Sequence, residues 1–230
     1  MGNRSSIPSA RMAVSMASAE ILQIVLLSLL VSGTATLIGA GIGIPAGALV
    51  ALKDFRGRRF VRTVAFTFYG FPPVLAGLLV FLLLSNAGPL GFLGWLFTPI
   101  GMIVAQVVIV TPIVMGVTIS AVMVVERRTR ETALTLGADE SQWRATALHE
   151  ARVGVLAAVM LGFGRAISEV GAVLIVGGNI AGYTRVLTTA IVLETSRANY
   201  AEAMIFGGIL FVIAFAVFTV LHRLQARGIL

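Results

Sequence analysis

The run ILQIVLLSLLVSGTATLIGAGIGIPAGALVAL, from Ile21 to Leu52, carries no charged side chain. About 20 apolar residues suffice to cross the hydrocarbon of a bilayer, so this stretch alone predicts an integral membrane protein. It is too long for one untilted crossing. Glu20–Val31 reads as an interfacial helix that turns into a first span near 32–52. Gly39, Gly43 and Gly47 recur every fourth residue there, a spacing that lets helix backbones approach closely. Flexible glycines facing lipid would give the same pattern. Residues 1–19, with Arg4 and Arg11, read as a loose N-terminal arm. Residues 20–230 read as a single transmembrane domain.

The rest of the chain agrees. Of 230 residues, 58% are hydrophobic and 12% charged, with a mean hydropathy of +0.99. Soluble domains carry about 25% charged residues, so this chain cannot cover a water-facing surface. The formal charge of +7 is clustered. Lys53, Arg56, Arg58, Arg59 and Arg62 share one short loop, and Arg127, Arg128, Arg130, Arg144 and Arg152 lie in or beside another. Arg223 and Arg227 close the chain. These twelve of the 17 basic residues fit cytoplasmic loops under the positive-inside rule. A nucleic-acid stripe would not be interrupted by membrane spans, so nucleic acid is excluded as a partner. Without cysteine, disulfides and thiolate metal sites are excluded. Both histidines stand alone, and no metal cluster is expected. The polar first nineteen residues do not read as a cleavable signal peptide.

Outward from the first run, a basic loop at 53–62 leads to a second span at about 63–85 containing Pro72 and Pro73. Asn86–Phe97 is a turn-rich outer loop in which Trp95 is placed to anchor at the headgroups. A third span covers roughly 98–125. Residues 126–152 then hold ten charged residues and no proline. Gly137 offers a helix stop, and Asp139 with Gln142 resembles a capping box that starts a second helix. This is a cytoplasmic helical insert. The fourth span, about 153–177, contains Arg165 and Glu169 and ends in a turn at Gly177, Gly178 and Asn179. A polar outer segment, 178–203, includes Val186–Leu193, which has the length of a re-entrant piece. The last span is about 204–221. The fold class is all-α integral membrane, with about five spans, the N-terminus outside and the C-terminus inside.

Two motifs carry a family resemblance. Glu131-Thr132-Ala133 with Gly137 four residues on resembles the EAA-x3-G signature of permease subunits of ABC importers. The Leu-Pro pair of that consensus is absent, and Ala147, Leu148, His149 and Glu150 stand in its place. Gly164–Ala172 (GRAISEVGA) and Gly177-Gly178-Asn179-Ile180 are similar to molybdate- and tungstate-type permeases. Thr184–Ile191 (TRVLTTAI) with Glu194-Thr195 looks closest to the tungstate branch. The resemblance implies the type I ABC importer permease fold, with two copies around a pathway and an ATPase subunit docked on each cytoplasmic insert. An extracytoplasmic oxyanion-binding protein would deliver tungstate or molybdate from outside, where Arg185 and Arg197 lie. It also implies an inner-membrane location.

The sequence has no glycine-rich phosphate loop, so ATP–Mg chemistry belongs to a partner and no cofactor is expected in this chain. Glu131, Thr132, Ala133 and Gly137 are the candidates for ATPase coupling. Glu131 reads as near a helix start, where the dipole favours it, with Arg127 or Arg128 as ion-pair partner. Arg165, Ser168 and Glu169 are the pathway or gate candidates. Arg165 and Glu169 are four apart on one helical face, and each charge in a span costs about 2.5–3.5 kcal/mol on the insertion scale. The alternative for the pair is a structural contact between helices. Three other functions are set against the oxyanion importer. A sulfate permease of the same fold would differ in substrate only. A secondary transporter would show internal repeats. An intramembrane enzyme would need a catalytic set that these residues do not form.

Overall fold

The computed structural model describes residues 10–226, which form nine α-helices, one short 3-10 turn and no strand. Helix α1 runs unbroken from Ala10 to Leu52, through Pro45. The expected turn near Val31 does not form. One glycine at 33 costs a helix about 1 kcal/mol, and in lipid an unwound backbone costs far more. The polar side chains on the way are absorbed, since the Ser28 and Thr36 hydroxyls donate to the carbonyls of Ile24 and Ser32 at 2.7 Å each. The expected loose arm is therefore helical from Ala10 onward, while residues 1–9, Arg4 among them, lie outside the described residues.

The every-fourth glycines of α1 face α4 (Pro99–Thr135). A Cβ at Gly43 would lie 2.9 Å from the Thr111 carbonyl oxygen, and one at Gly47 2.7 Å from that of Met115. The spacing thus serves close helix contact rather than lipid exposure.

The expected second span is not one helix. Helix α2 (Arg58–Tyr69) and helix α3 (Pro73–Leu84) meet at 99°. Pro72 disfavours helical backbone at Phe71, and Pro73, which lacks an N–H, sits in the first turn of α3, where none is needed. Because α2 starts at Arg58, the basic loop shrinks to residues 53–57, and Arg58, Arg59 and Arg62 are helical. In the outer loop, Trp95 is half-buried against the cluster of Ala76, Val80 and Ala105. The most exposed aromatic ring there is Phe92, 83% exposed.

Helix α4 is followed by α5 (Glu140–Glu150) and α6 (Arg152–Ile167), which meet at 50°. The expected fourth span is interrupted at residues 168–170 and resumes as α7 (Gly171–Gly177). Gly178 and Asn179 then turn with φ of 71° and 51°, as expected. The outer segment is not a solvated loop. It contains α8 (Leu187–Ser196), whose first turn is buried. The Leu187 N–H donates to the Ser28 hydroxyl at 2.9 Å, which ties α8 to α1. Helix α9 (Tyr200–Ala226) closes the described chain, and none of its most apolar window is buried.

Among the described residues, three helices are long and apolar enough to cross a membrane, at Ala19–Leu52, Pro99–Glu126 and Tyr200–Arg223, or up to five if each bent pair is one span. Helix α5 is polar, so the crossing at α6 is better continued by α7 than begun by α5. α6 alone reaches about 24 Å.

Candidate functional site

The insert folds as a corner between α4 and α5. Gly137 has φ 85°. The Ala138 N–H donates to the Ala133 carbonyl at 3.0 Å and the Gly137 N–H to that of Leu134 at 3.1 Å. These two bonds are a Schellman motif, which satisfies carbonyls left open at a helix end. Asp139 then caps α5, accepting the backbone N–H groups of Ser141 and Gln142 at 2.8 Å each, while Gln142 accepts the Asp139 N–H at 3.0 Å. Bonds from the Gln142 N–H first, and then the Ser141 hydroxyl, hold the Asp139 carboxyl below its ordinary pKa.

The corner is braced on its inner side. Trp143 is 2% exposed, and the Arg130 guanidinium lies 5.3 Å from its ring centroid. Arg130 also meets Glu140 at 3.4 Å, and Glu140 meets Arg144 at 2.9 Å. The outer side is apolar and open, with Leu136 83% exposed and Leu134 and Leu148 also exposed. Glu131 and Thr132 are exposed, and Ala133 is half-buried. Glu131 lies in the last turns of α4, not near a helix start, so the macrodipole disfavours it there. The side chains of Arg127 and Arg128 lie outside the described residues.

The second group sits where α6 gives way to α7. Arg165 and Glu169 pair at 3.0 Å, with Glu169 buried and Arg165 37% exposed. Glu169 is held on three sides. Its other carboxylate oxygen accepts the Ala172 N–H at 3.2 Å, and its carbonyl accepts the Thr188 hydroxyl at 2.9 Å. One residue turn earlier, the buried Gln106 donates to the Ala166 carbonyl at 3.0 Å. Ser168 spends its hydroxyl on the Gly164 carbonyl at 2.7 Å. Arg165 opens onto a groove of about 530 Å³ shared with Gly164, Phe218 and Gln225.

The two helix breaks adjoin. A Cβ at Gly77 would stand 2.5 Å from the Ala172 Cα, and one at Gly171 2.7 Å from a Val74 methyl. Helices α3 and α7 therefore touch backbone to backbone just beyond residues 70–72 and 168–170. Sequence reasoning missed Trp143, Gln106 and both breaks. A tryptophan inside a charged insert was the available sign of the first, and Gly70-Phe71-Pro72-Pro73 that of one break. On the outer side, Arg185 meets Glu20 at 3.4 Å and Arg197 meets Glu194 at 3.0 Å.

Residues 43–230 match the family model described as binding-protein-dependent transport system inner membrane component. The chain belongs to that family. It is an integral membrane permease subunit of the ABC transporter class. Among curated relatives it is 40% identical over 206 residues to a tungstate uptake system permease protein of Peptoclostridium acidaminophilum, covering 90% of each chain. It is 39% identical to a probable anion ABC transporter permease protein of Haloferax volcanii, over 90% of this chain and 91% of that one. A sulfate transport system permease protein of Escherichia coli is more distant, at 28% identity over 92% of this chain and 75% of its own. Among solved structures, an amino acid ABC transporter crystallised with histidines matches with a TM-score of 0.67 at 17% identity, over 96% of this chain and all of that one. That likeness bears on the fold, which is the expected permease fold.

Proposed function

We propose that this permease moves tungstate, and molybdate as the related oxyanion, into the cell, driven by ATP hydrolysis in partner ATPase subunits. The observation that carries the substrate is the 40% identity, over 90% of each chain, with a permease named for tungstate uptake. Two copies of the chain surround the pathway, two ATPase subunits bind ATP–Mg, and an extracytoplasmic oxyanion-binding protein delivers the ion.

Glu131, Thr132, Ala133 and Gly137 form the coupling element of the EAA type. In support, Leu134, Leu136 and Leu148 are exposed beside them, uncovered by any of the described residues, and the corner behind them is capped at both helix ends. A rigid element seated in an ATPase groove transmits rigid-body motion to α4 and α6. Arg165, Ser168 and Glu169 belong to the pathway. Arg165 presents a guanidinium to an open groove while Glu169 anchors it, and a guanidinium suits an oxyanion. Ser168, with its hydroxyl engaged by backbone, shapes the break rather than binding the ion.

The test is ATP hydrolysis in proteoliposomes containing this chain, the ATPase and the binding protein encoded beside it. Tungstate is expected to stimulate at the lowest concentration and molybdate next. Stimulation by sulfate at a lower concentration than either would favour the sulfate reading, and flux that ignores ATP would favour a secondary transporter.

A further inference from the structure

Arg58 is the organising residue of the α1–α2 turn. Its guanidinium donates to the carbonyls of Val50, at 2.9 Å, and Ala51, which α1 leaves open at its C-terminus. It also pairs with Asp54 and lies 3.7 Å from Glu126 of α4. The turn is thus fastened to the C-terminal end of α1 and to the side of α4, and the one nearby carboxylate on its own segment, Asp54, is paired with Arg58. Gly57, with φ 93°, lets the chain reverse there.

What the fastening leaves is a set of cations with no internal role. Arg56 and Arg59 are exposed and Arg62 is half-buried. Among the described residues, no carboxylate stands within ion-pair distance of any of the three. With Phe55, Arg58 and the Asp54 carboxylate that Arg58 pairs, they line an open concavity of about 720 Å³. Phe60, 72% exposed, projects from the first turn of α2 beside them. The level in the membrane is fixed independently. Helix α1 is uncharged from Ile21 to Leu52, and the apolar part of α4 ends at Glu126, which Arg58 reaches. The concavity therefore lies at the boundary between hydrocarbon and water.

We propose that this concavity holds the headgroup phosphate of an anionic phospholipid, with Arg56, Arg59 and Arg62 on the phosphate and Phe60 against the upper acyl chain. Guanidinium forks match phosphate oxygens, basic residues at this level draw anionic lipid, and an aromatic ring at the interface suits the glycerol and first methylenes. A soluble anion would use the arginines but gain nothing from Phe60.

Native mass spectrometry of the full chain in neutral detergent, titrated with dioleoylphosphatidylglycerol or dioleoylphosphatidylcholine, tests this. Phosphatidylglycerol is expected to bind at least about tenfold more tightly than phosphatidylcholine, and R59Q/R62Q to lose about tenfold or more of that affinity. R223Q, which removes a charge at the far end of the chain, is expected to leave it unchanged. The melting temperature of each variant separates lost binding from lost folding, and Phe60→Ser, with every charge in place, is expected to weaken binding about threefold. Equal affinity for the two lipids, wild-type affinity in R59Q/R62Q, an equal loss in R223Q, or displacement by glycerol phosphate at lipid-like concentrations would each overturn the proposal. So would loss of ATPase docking in R59Q/R62Q with lipid affinity intact, which would make the surface a protein interface.

Discussion

The Arg130 guanidinium lies over the ring of Trp143 at 5.3 Å, and this contact, with the Arg130–Glu140 pair, joins the last turns of α4 to the first turn of α5. It braces the corner on the side where Trp143 is buried. A cation over an indole is worth about 0.5–1 kcal/mol where partly exposed, and the neighbouring Arg130–Glu140 pair adds little in water. Arg130→Gln is therefore expected to cost no more than about 1–2 kcal/mol of stability. It is expected to lower transport per ATP hydrolysed severalfold in proteoliposomes. Trp143→Ala, which empties a buried site, should cost about 3–5 kcal/mol and reduce the amount of folded protein recovered.

Gly137 turns at φ 85° with open space where a Cβ would go. The cost of a side chain there is backbone strain alone, about 1–2 kcal/mol. Gly137→Val is expected to reshape the corner and uncouple hydrolysis from transport, while Gly137→Asn, which tolerates a left-handed backbone, should retain most coupling. Paired measurements of ATPase rate and tungstate uptake distinguish the two. Full uptake in the valine variant would remove Gly137 from the coupling element.

Asp139 has its carboxyl pKa depressed by the α5 N-terminal hydrogen bonds. A depressed carboxylate contributes stability that is present above its unfolded pKa, about 3.9, and is lost as pH falls through the lower folded value. The corner should therefore be unaffected between pH 5 and 8 and should fray below about pH 4. Hydrogen exchange of the amides of Ser141 and Gln142 reads this directly. Asp139→Asn keeps the cap and should remove the Asp139 contribution to the acid dependence.

Glu169→Gln keeps an acceptor for the Ala172 N–H and gives up the charge facing Arg165. The fold is expected to survive, with uptake altered through the freed guanidinium. Glu169→Leu removes both contacts. Breaking a fully buried pair costs about 3–5 kcal/mol, and partial exposure of Arg165 brings the expectation toward the lower end. Thermal melting in detergent separates the two variants. If both melt alike and both fail to assemble, the pair is purely structural.

Gly77 faces the Ala172 backbone with no room for a Cβ. Gly77→Ala is expected to push α3 from α7 and cost about 1–3 kcal/mol, visible as a lower melting temperature. Gly33→Ala, at a position with nothing within 4 Å, should stabilise α1 slightly and serves as its control.

The local signals of the corner were legible because they are local. A glycine stop at Gly137 and a capping box of Asp139 and Gln142, three residues apart, need no knowledge of the rest of the fold. The uncharged runs likewise gave the long helices. Depth and bending were harder. Pro45 and Pro112 lie within continuous helices, whereas Pro72-Pro73 breaks one, and the difference is the Gly70-Phe71 pair before it and the tertiary contact of α3 with α7. The break at Ser168–Val170 has no proline at all. It rests on Glu169 turning inward to cap α7, which a charge count cannot foresee. The role of Trp143 is not legible locally, because the cation over its ring, Arg130, is thirteen residues away on another helix. The expectation for Glu131 failed for a related reason, since α4 continues well past the membrane to Thr135.

The capped turn at Gly137 and Asp139 also bears on kinetics. Every backbone bond that shapes it comes from within residues 133–142, so its form exists before any partner arrives. An encounter with such a surface carries little ordering entropy. Recognition then resembles the meeting of two finished parts, and changes on its leucine face should register in how long the complex lasts more than in how fast it forms.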